Sequence, residues 1–238
     1  MSPAAPLKHV VVAGATGLVG RELIRQLDSR PEVTVTALVR GTGRLRNLSS
    51  RVTEIPFDFE KAEDLARLGA DIPCDILLCA LGTTIKDAGS QEAFRRVDRD
   101  YPMALMVRLA ELEQRPLFAV VSSVGAAHPR GFYLQTKAEM EKALFESGLP
   151  YLIFRPSLLM GPRRVFRLGE WLAARLLARP YLAFARAFMP QSRLAWKYAP
   201  IEAEDVAKAM VRCCLDEPPS RHNRVLTGLA LHHPIMDL

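Results

Sequence analysis

Cysteine is scarce in this chain of 238 residues, and long apolar runs are absent. Cys74, Cys79, Cys213 and Cys214 form no framework and show no CxxC metal spacing. That excludes a disulfide-stapled scaffold and points to a reducing cytoplasm. No window approaches about 18 uninterrupted apolar residues, so a spanning helix is not expected. The opening, MSPAAPLKHVVVAGATG, lacks a secretory apolar region. Acids are missing from two stretches: none lies between Glu32 and Glu54, and Glu170 is the only one between Tyr151 and Pro200. Glycine and proline are neither abundant nor periodic, which excludes collagen-like and low-complexity chains. What is present, 49 % hydrophobic residues at this length, suffices to bury the core of one α/β domain spanning 1–238.

Short apolar runs alternate with longer amphipathic stretches, the pattern of a parallel sheet covered by helices. Strands are expected at Val10–Ala13, Val33–Val39, Val52–Pro56, Ile76–Cys79, Leu117–Val121, Tyr151–Phe154 and Asn223–Thr227. Helices are expected at Leu18–Leu27, from about Gln91 to Leu112, at Phe132–Glu146 and at Ala203–Leu215. Glu202, Glu204 and Asp205 suit the positive N-terminal end of the last helix. This order predicts a Rossmann-type, doubly wound parallel sheet with helices on both faces.

The first strand runs into Gly14-Ala15-Thr16-Gly17-Leu18-Val19-Gly20, a GxxGxxG turn before a helix. Gly14 suits a tight turn, Gly17 close approach to a pyrophosphate, and Gly20 close helix–strand packing. Amides at the start of the helix would then face phosphates, with the helix dipole adding to the attraction. The second strand ends Ala37-Leu38-Val39-Arg40, where an NAD site usually carries an acid for the ribose 2′-hydroxyl. Arg40 stands there instead, near Arg21, Arg44 and Arg46, and a guanidinium fork suits a 2′-phosphate. The cofactor expected is therefore NADP(H).

Downstream, Ser122-Ser123-Val124-Gly125 closes the fifth strand, and Tyr133-Leu134-Gln135-Thr136-Lys137 follows. Tyrosine and lysine at i and i+4 share a helix face. An ammonium beside a phenol favours the phenolate, which makes tyrosine usable as a proton donor or acceptor. A serine hydroxyl at the neighbouring strand end would bond the substrate oxygen. Tyr-x-x-x-Lys alone is weak evidence; the phosphate loop and the serine pair give it context.

With those motifs in place, the chain resembles the short-chain dehydrogenase/reductase superfamily, in particular its atypical NAD(P)-binding branch of Tat-interacting-protein-like oxidoreductases. Cys79-Ala80-Leu81-Gly82-Thr83-Thr84, Arg96-Val97-Asp98-Arg99-Asp100-Tyr101, Tyr133–Lys137 and Phe154-Arg155-Pro156-Ser157 carry the likeness. The resemblance implies that Gly14, Thr16, Gly17, Leu18, Val19, Arg40 and the Leu81-Gly82-Thr83 turn line the cofactor, with Asp58 beside the adenine. It implies Ser123, Tyr133 and Lys137 as the catalytic set, with Lys137 also reaching the nicotinamide ribose. It further implies a small-molecule substrate and is compatible with a homodimer, since members of the superfamily often pair through helices flanking the sheet. The oligomeric state itself is not readable from the sequence. Asp98 stands where many relatives place a proton-relaying Asn, and a cap or a pair with Arg95 or Arg99 is the alternative role. The implied activity is hydride transfer between nicotinamide and a carbonyl or alcohol carbon. A non-catalytic NADPH sensor and a nucleotide-sugar epimerase remain rival functions.

The net charge of +6 is uneven. Between Tyr151 and Pro200 nine basic residues face one acid, so that stretch carries +8 and the remainder −2. Both tryptophans, Trp171 and Trp196, lie there, and Gly169–Ala178 could form an amphipathic helix. We expect 156–200 to be a lid or substrate-side segment. Its arginines could be solvated, could bind an anionic substrate or partner, or could rest on an anionic membrane surface through 163–197. No helix-turn-helix, zinc or RNA-binding signature accompanies the charge, so sequence-specific nucleic-acid binding is not expected.

Overall fold

The computed structural model describes residues 7–161 and 192–232. Its strands are the apolar runs of the sequence: β1 (Lys8–Ala13), β2 (Val33–Val39), β3 (Val52–Pro56), β4 (Ile76–Cys79), β5 (Leu117–Val121) and β6 (Tyr151–Arg155). Two short strands, β7 (Leu159–Met160) and β8 (Ile201–Glu202), pair with each other, and β9 (Arg224–Thr227) ends the series. Seven strands form one sheet in the order β3-β2-β1-β4-β5-β6-β9, every pair parallel. Every residue of β4 and β5 is buried, because helices cover both faces of a parallel sheet. The expected Rossmann-type architecture is the observed one.

The helices are α1 (Leu18–Asp28), α2 (Ala62–Arg67), α3 (Ile85–Ala88), α4 (Gln91–Arg95), α5 (Tyr101–Ala110), α6 (Gly131–Glu146), α7 (Arg193–Tyr198), α8 (Ala203–Leu215) and α9 (Leu229–His232). One face of the sheet receives Leu23, Ile24 and Leu27 of α1 with Val206, Met210 and Cys213 of α8. The other receives Leu105 and Leu109 of α5 with Met140 and Leu144 of α6. None of the four cysteines is in a disulfide. Burial pushes the Cys79 thiol up to about 11 and that of Cys213 to about 12, so both stay protonated near neutrality. Among the described residues, no helix is long and apolar enough to cross a membrane.

The helix expected from Gln91 to Leu112 is not continuous. A π-helical turn, Arg96–Asp100, separates α4 from α5, and the Tyr101 amide donates to the Arg96 carbonyl five residues back. Pro102 supplies the physical reason. It has no N–H to offer the Asp98 carbonyl, so the α-helical ladder is interrupted at that point. The consequence is that Asp98 turns into the protein and is 1 % exposed.

Candidate functional site

Strand order reverses between β1 and β4, and open α/β sheets bind ligands at the carboxyl ends of strands at such a switch point. A cavity of about 810 Å³ opens there. Thr16, Gly17, Leu18 and Val19 form one wall, and Leu81, Gly82 and Thr83 another. Tyr133 and Lys137 close it from α6. The first helical bond of α1 runs from the Arg21 amide to the Gly17 carbonyl. The amides of Leu18, Val19 and Gly20 therefore have no partner within the helix, no side chain caps them, and the first turn holds no acid. Such a helix end fits the pyrophosphate of a dinucleotide. Arg21 also lines the cavity, where its Nε donates to the Thr16 carbonyl at 2.9 Å.

On α6, Tyr133, Lys137 and Glu141 follow one another at four-residue intervals and so share a face. Tyr133 remains 40 % exposed, which leaves its phenol open to a ligand, and its ring packs 5.5 Å from that of Phe94. Lys137 is buried, and its Nζ lies 2.7 Å from Asp98 Oδ1. The Thr83 amide donates to the other oxygen, Asp98 Oδ2, at 2.8 Å. Asp98 thus ties Lys137 to the turn after β4. This corrects the alternative pairing expected for it: Arg99 bonds Asp100 and Glu139 instead. Burial pulls the Lys137 ammonium down, but the Asp98 carboxylate outweighs it and the net shift is upward.

A lysine raised above its unfolded value stabilises the fold fully below that value and loses the contribution as pH climbs through the folded one. Asp98→Asn removes the carboxylate, so burial then governs Lys137 and reverses the direction of the shift. The variant is expected to lose about 1–3 kcal/mol at neutral pH. The Lys137 contribution in the variant should then rise as pH climbs, where that of the wild type falls, so the two melting curves should converge toward alkaline pH. Thermal melts from pH 7 to 11 check both, and superimposed curves would refute the assignment.

A second buried network was not legible in the sequence. Glu141, 2 % exposed, accepts the Ser122 hydroxyl and a two-pronged contact from Arg155, one prong through Nε at 2.9 Å. The available signal was an acid four residues after Lys137, on a face that also carries Met140 and Leu144.

The remaining expected residues do not line the cavity. Gly14 lies behind the loop, packed on the Ala80 backbone with φ +83°. Arg40 is exposed at the end of β2. The loop after it is held by Glu54, whose carboxylate receives the amides of Gly43 and Leu45, the latter at 2.8 Å. Asp58 is exposed, and its carboxylate accepts the Glu60 amide at 3.0 Å. Ser123 is half-buried, with its hydroxyl 3.3 Å from the Val124 carbonyl, while Val121 and Ser122 form the cavity wall. Most of the basic segment, including Gly169–Ala178 and Trp171, lies outside the described residues. Trp196 does not cover the cavity, as a lid aromatic would; it is buried with Ala199 against Leu229. Among the described residues, no cluster of three or more His, Cys, Asp or Glu side chains is arranged to hold a metal.

A parallel sheet with a glycine turn and an uncapped helix end at its switch point defines a dinucleotide-binding protein of Rossmann type. The chain belongs to the NAD(P)H-binding family, whose model matches residues 14–168. It is 34 % identical over 171 residues to protein HTATIP2 of Rattus norvegicus, covering 70 % of this chain and 69 % of that one. It is 33 % identical over 159 residues to protein FMP52, mitochondrial, of Candida albicans, covering 64 % and 68 %. Among solved structures it is similar to UDP-glucose 4-epimerase of Thermotoga maritima, with a TM-score of 0.66 and 16 % identity over 91 % of this chain and 75 % of that one. A thiolation-reductase di-domain from an archaeal non-ribosomal peptide synthetase gives a TM-score of 0.67 at 15 % identity, over 93 % and 70 %. The likeness to atypical short-chain dehydrogenase/reductases expected from the motifs therefore holds for family and fold.

Proposed function

We propose that this protein is an NADP(H)-dependent oxidoreductase acting on a carbonyl or alcohol substrate, working in a reducing compartment such as the cytoplasm. The observation that carries the reading is that Tyr133 and Lys137 face the same cavity as the uncapped start of α1. The amides of Leu18–Gly20 would hold the pyrophosphate, and the Leu81–Thr83 turn would wall the ribose. A bound nicotinamide supplies the hydride chemistry. Tyr133 gives or takes the proton at the substrate oxygen. Lys137 keeps a positive charge beside it and reaches the ribose, fixed in place by Asp98. Ser123 is the serine suited to the substrate oxygen: its 3.3 Å bond to a carbonyl is weak and easily exchanged, whereas the Ser122 hydroxyl is held by Glu141.

One observation favours the non-catalytic NADPH sensor as a second reading. Both serine hydroxyls already have protein partners, and Ser123 lies off the cavity wall.

The preference for a 2′-phosphate rests on Arg40 and on the loop that Glu54 folds beside it. NADPH is expected to bind at least about tenfold more tightly than NADH, the worth of one charge-assisted contact. Arg40→Ala should remove most of that margin without altering NADH affinity. Glu54→Gln, which weakens the hold on the Gly43 and Leu45 amides, should remove part of it. Titration of the nicotinamide fluorescence, with both cofactors and all three proteins, measures these affinities. Equal binding of the two cofactors by the unaltered protein would refute the NADP assignment.

A further inference from the structure

A second cavity, about 360 Å³, lies at the carboxyl ends of β5, β6 and β9. His128, Arg130, Arg155 and Lys197 converge on it with Tyr198 and Thr227, and among the described lining residues there is no carboxylate. Among the described residues, Arg130 and Lys197 have no acidic partner; the Lys197 ammonium rests 5.5 Å from the Tyr198 ring. Arg130 is also the N-cap of α6, a 16-residue helix whose first turn has neither an acid nor a side-chain cap. Its leading amides therefore add a partial positive charge to that of the side chains. Arg130 and Lys197, left without counter-charge beside Arg155, whose charge Glu141 balances, repel one another, and an oxyanion would relieve the repulsion while accepting their hydrogen bonds.

The position of this cleft connects it with the cofactor cavity. Ser122 lines the cavity and Val124 the cleft, so Ser123 sits between them. Tyr133 follows Arg130 by three positions, within the first turn of α6. Arg155 lines the cleft and also grips Glu141, which holds Ser122. We propose that the cleft is an oxyanion site holding the phosphate or carboxylate of the small molecule presented to Tyr133. The link to Tyr133 rests on the oxidoreductase reading above; the anion site stands without it.

The test is calorimetric titration of the full chain with inorganic phosphate and, separately, acetate. NADPH is kept saturating to occupy the glycine loop, and sodium chloride holds the ionic strength constant. Saturable binding of at least one anion is expected, with phosphate the tighter if the ligand is a phosphate ester and acetate the tighter if it is a carboxylate. Arg130→Ala combined with Lys197→Ala should weaken binding by about tenfold or more, since each substitution removes a charge-assisted donor. The charge-preserving exchange Arg130→Lys with Lys197→Arg should retain most of it. NADPH affinity, measured alongside, should be the same in every variant. Binding that is absent, or unmoved by the double alanine substitution, would overturn the proposal. So would capture on phosphatidylserine vesicles without binding of either free anion, which would assign the charge to a membrane surface. Failure of NADPH to bind would overturn the oxidoreductase reading alone, because the cleft shares no residue with the glycine loop.

Discussion

Tyr133→Phe is expected to lower turnover by about 10²–10⁴-fold while leaving NADPH affinity unchanged. The substitution removes one hydroxyl and little else. The ring packs 5.5 Å from Phe94 and is 40 % exposed, so phenylalanine keeps the contact and uncovers no buried polar group. The lysine beneath it is fixed independently, by Asp98 Oδ1 at 2.7 Å, and does not need the phenol to stay in place. The cofactor loop lies on β1 and α1, remote in sequence from α6. What disappears is the group that moves a proton to or from the substrate oxygen. Stopped-flow loss of nicotinamide absorbance and fluorescence titration separate the two effects. Unaltered turnover would refute the mechanism. Absence of turnover in the unaltered protein across carbonyl substrates, with NADPH bound tightly, would favour the sensor reading.

How far the sequence could be read depended on the range of the interaction. The strands β2, β3, β4 and β5 fall on the expected residues; β4 and β5 do so because a strand buried on both faces must be a continuous apolar run. The turn glycines and the Tyr133–Lys137 spacing are likewise local, and both walls of the cavity were legible. The π-helical turn was not, although Pro102 marked it, because the surrounding charge pattern is that of an ordinary helix. β7 and β8 are two residues each, too short for a period, and they pair Leu159 with Ile201 and Met160 with Glu202, far apart in the chain. The partners of buried charges were beyond reach for the same reason. Asp98 meets Lys137 rather than its neighbouring arginines, and Glu141 looks from sequence like a solvated helix residue. Arg40 was placed at the right strand end, but the residue that folds its loop, Glu54, belongs to the next strand.

The three glycines of the loop divide by mechanism, and Gly20→Ala against Gly17→Ala is the experiment that separates them. A methyl on Gly20 would sit 2.0 Å from the Gly14 carbonyl oxygen and 2.8 Å from the Ala15 Cα. Both are backbone atoms that cannot yield without moving β1 away from α1. Gly20→Ala is expected to cost about 3 kcal/mol or more, read as a large fall in melting temperature or as insoluble protein. Gly17 differs. Its φ of −75° and ψ of −178° are open to alanine, and its methyl would meet only the Gly14 oxygen at 3.2 Å, with the Ala80 oxygen beyond at 3.9 Å. Folding therefore does not require glycine at 17, and Gly17→Ala should melt within about 1 kcal/mol of the wild type. The methyl instead occupies the approach to the free amides of Leu18 and Val19, where a pyrophosphate must come close to the backbone. Loss of those contacts is expected to weaken NADPH binding by about 100-fold, with the fold intact by circular dichroism. A Gly17→Ala protein that binds NADPH normally would mean that the Leu18 and Val19 amides hold something else. A Gly20→Ala protein that melts normally would mean that β1 and α1 lie farther apart than the packing at Gly14 requires.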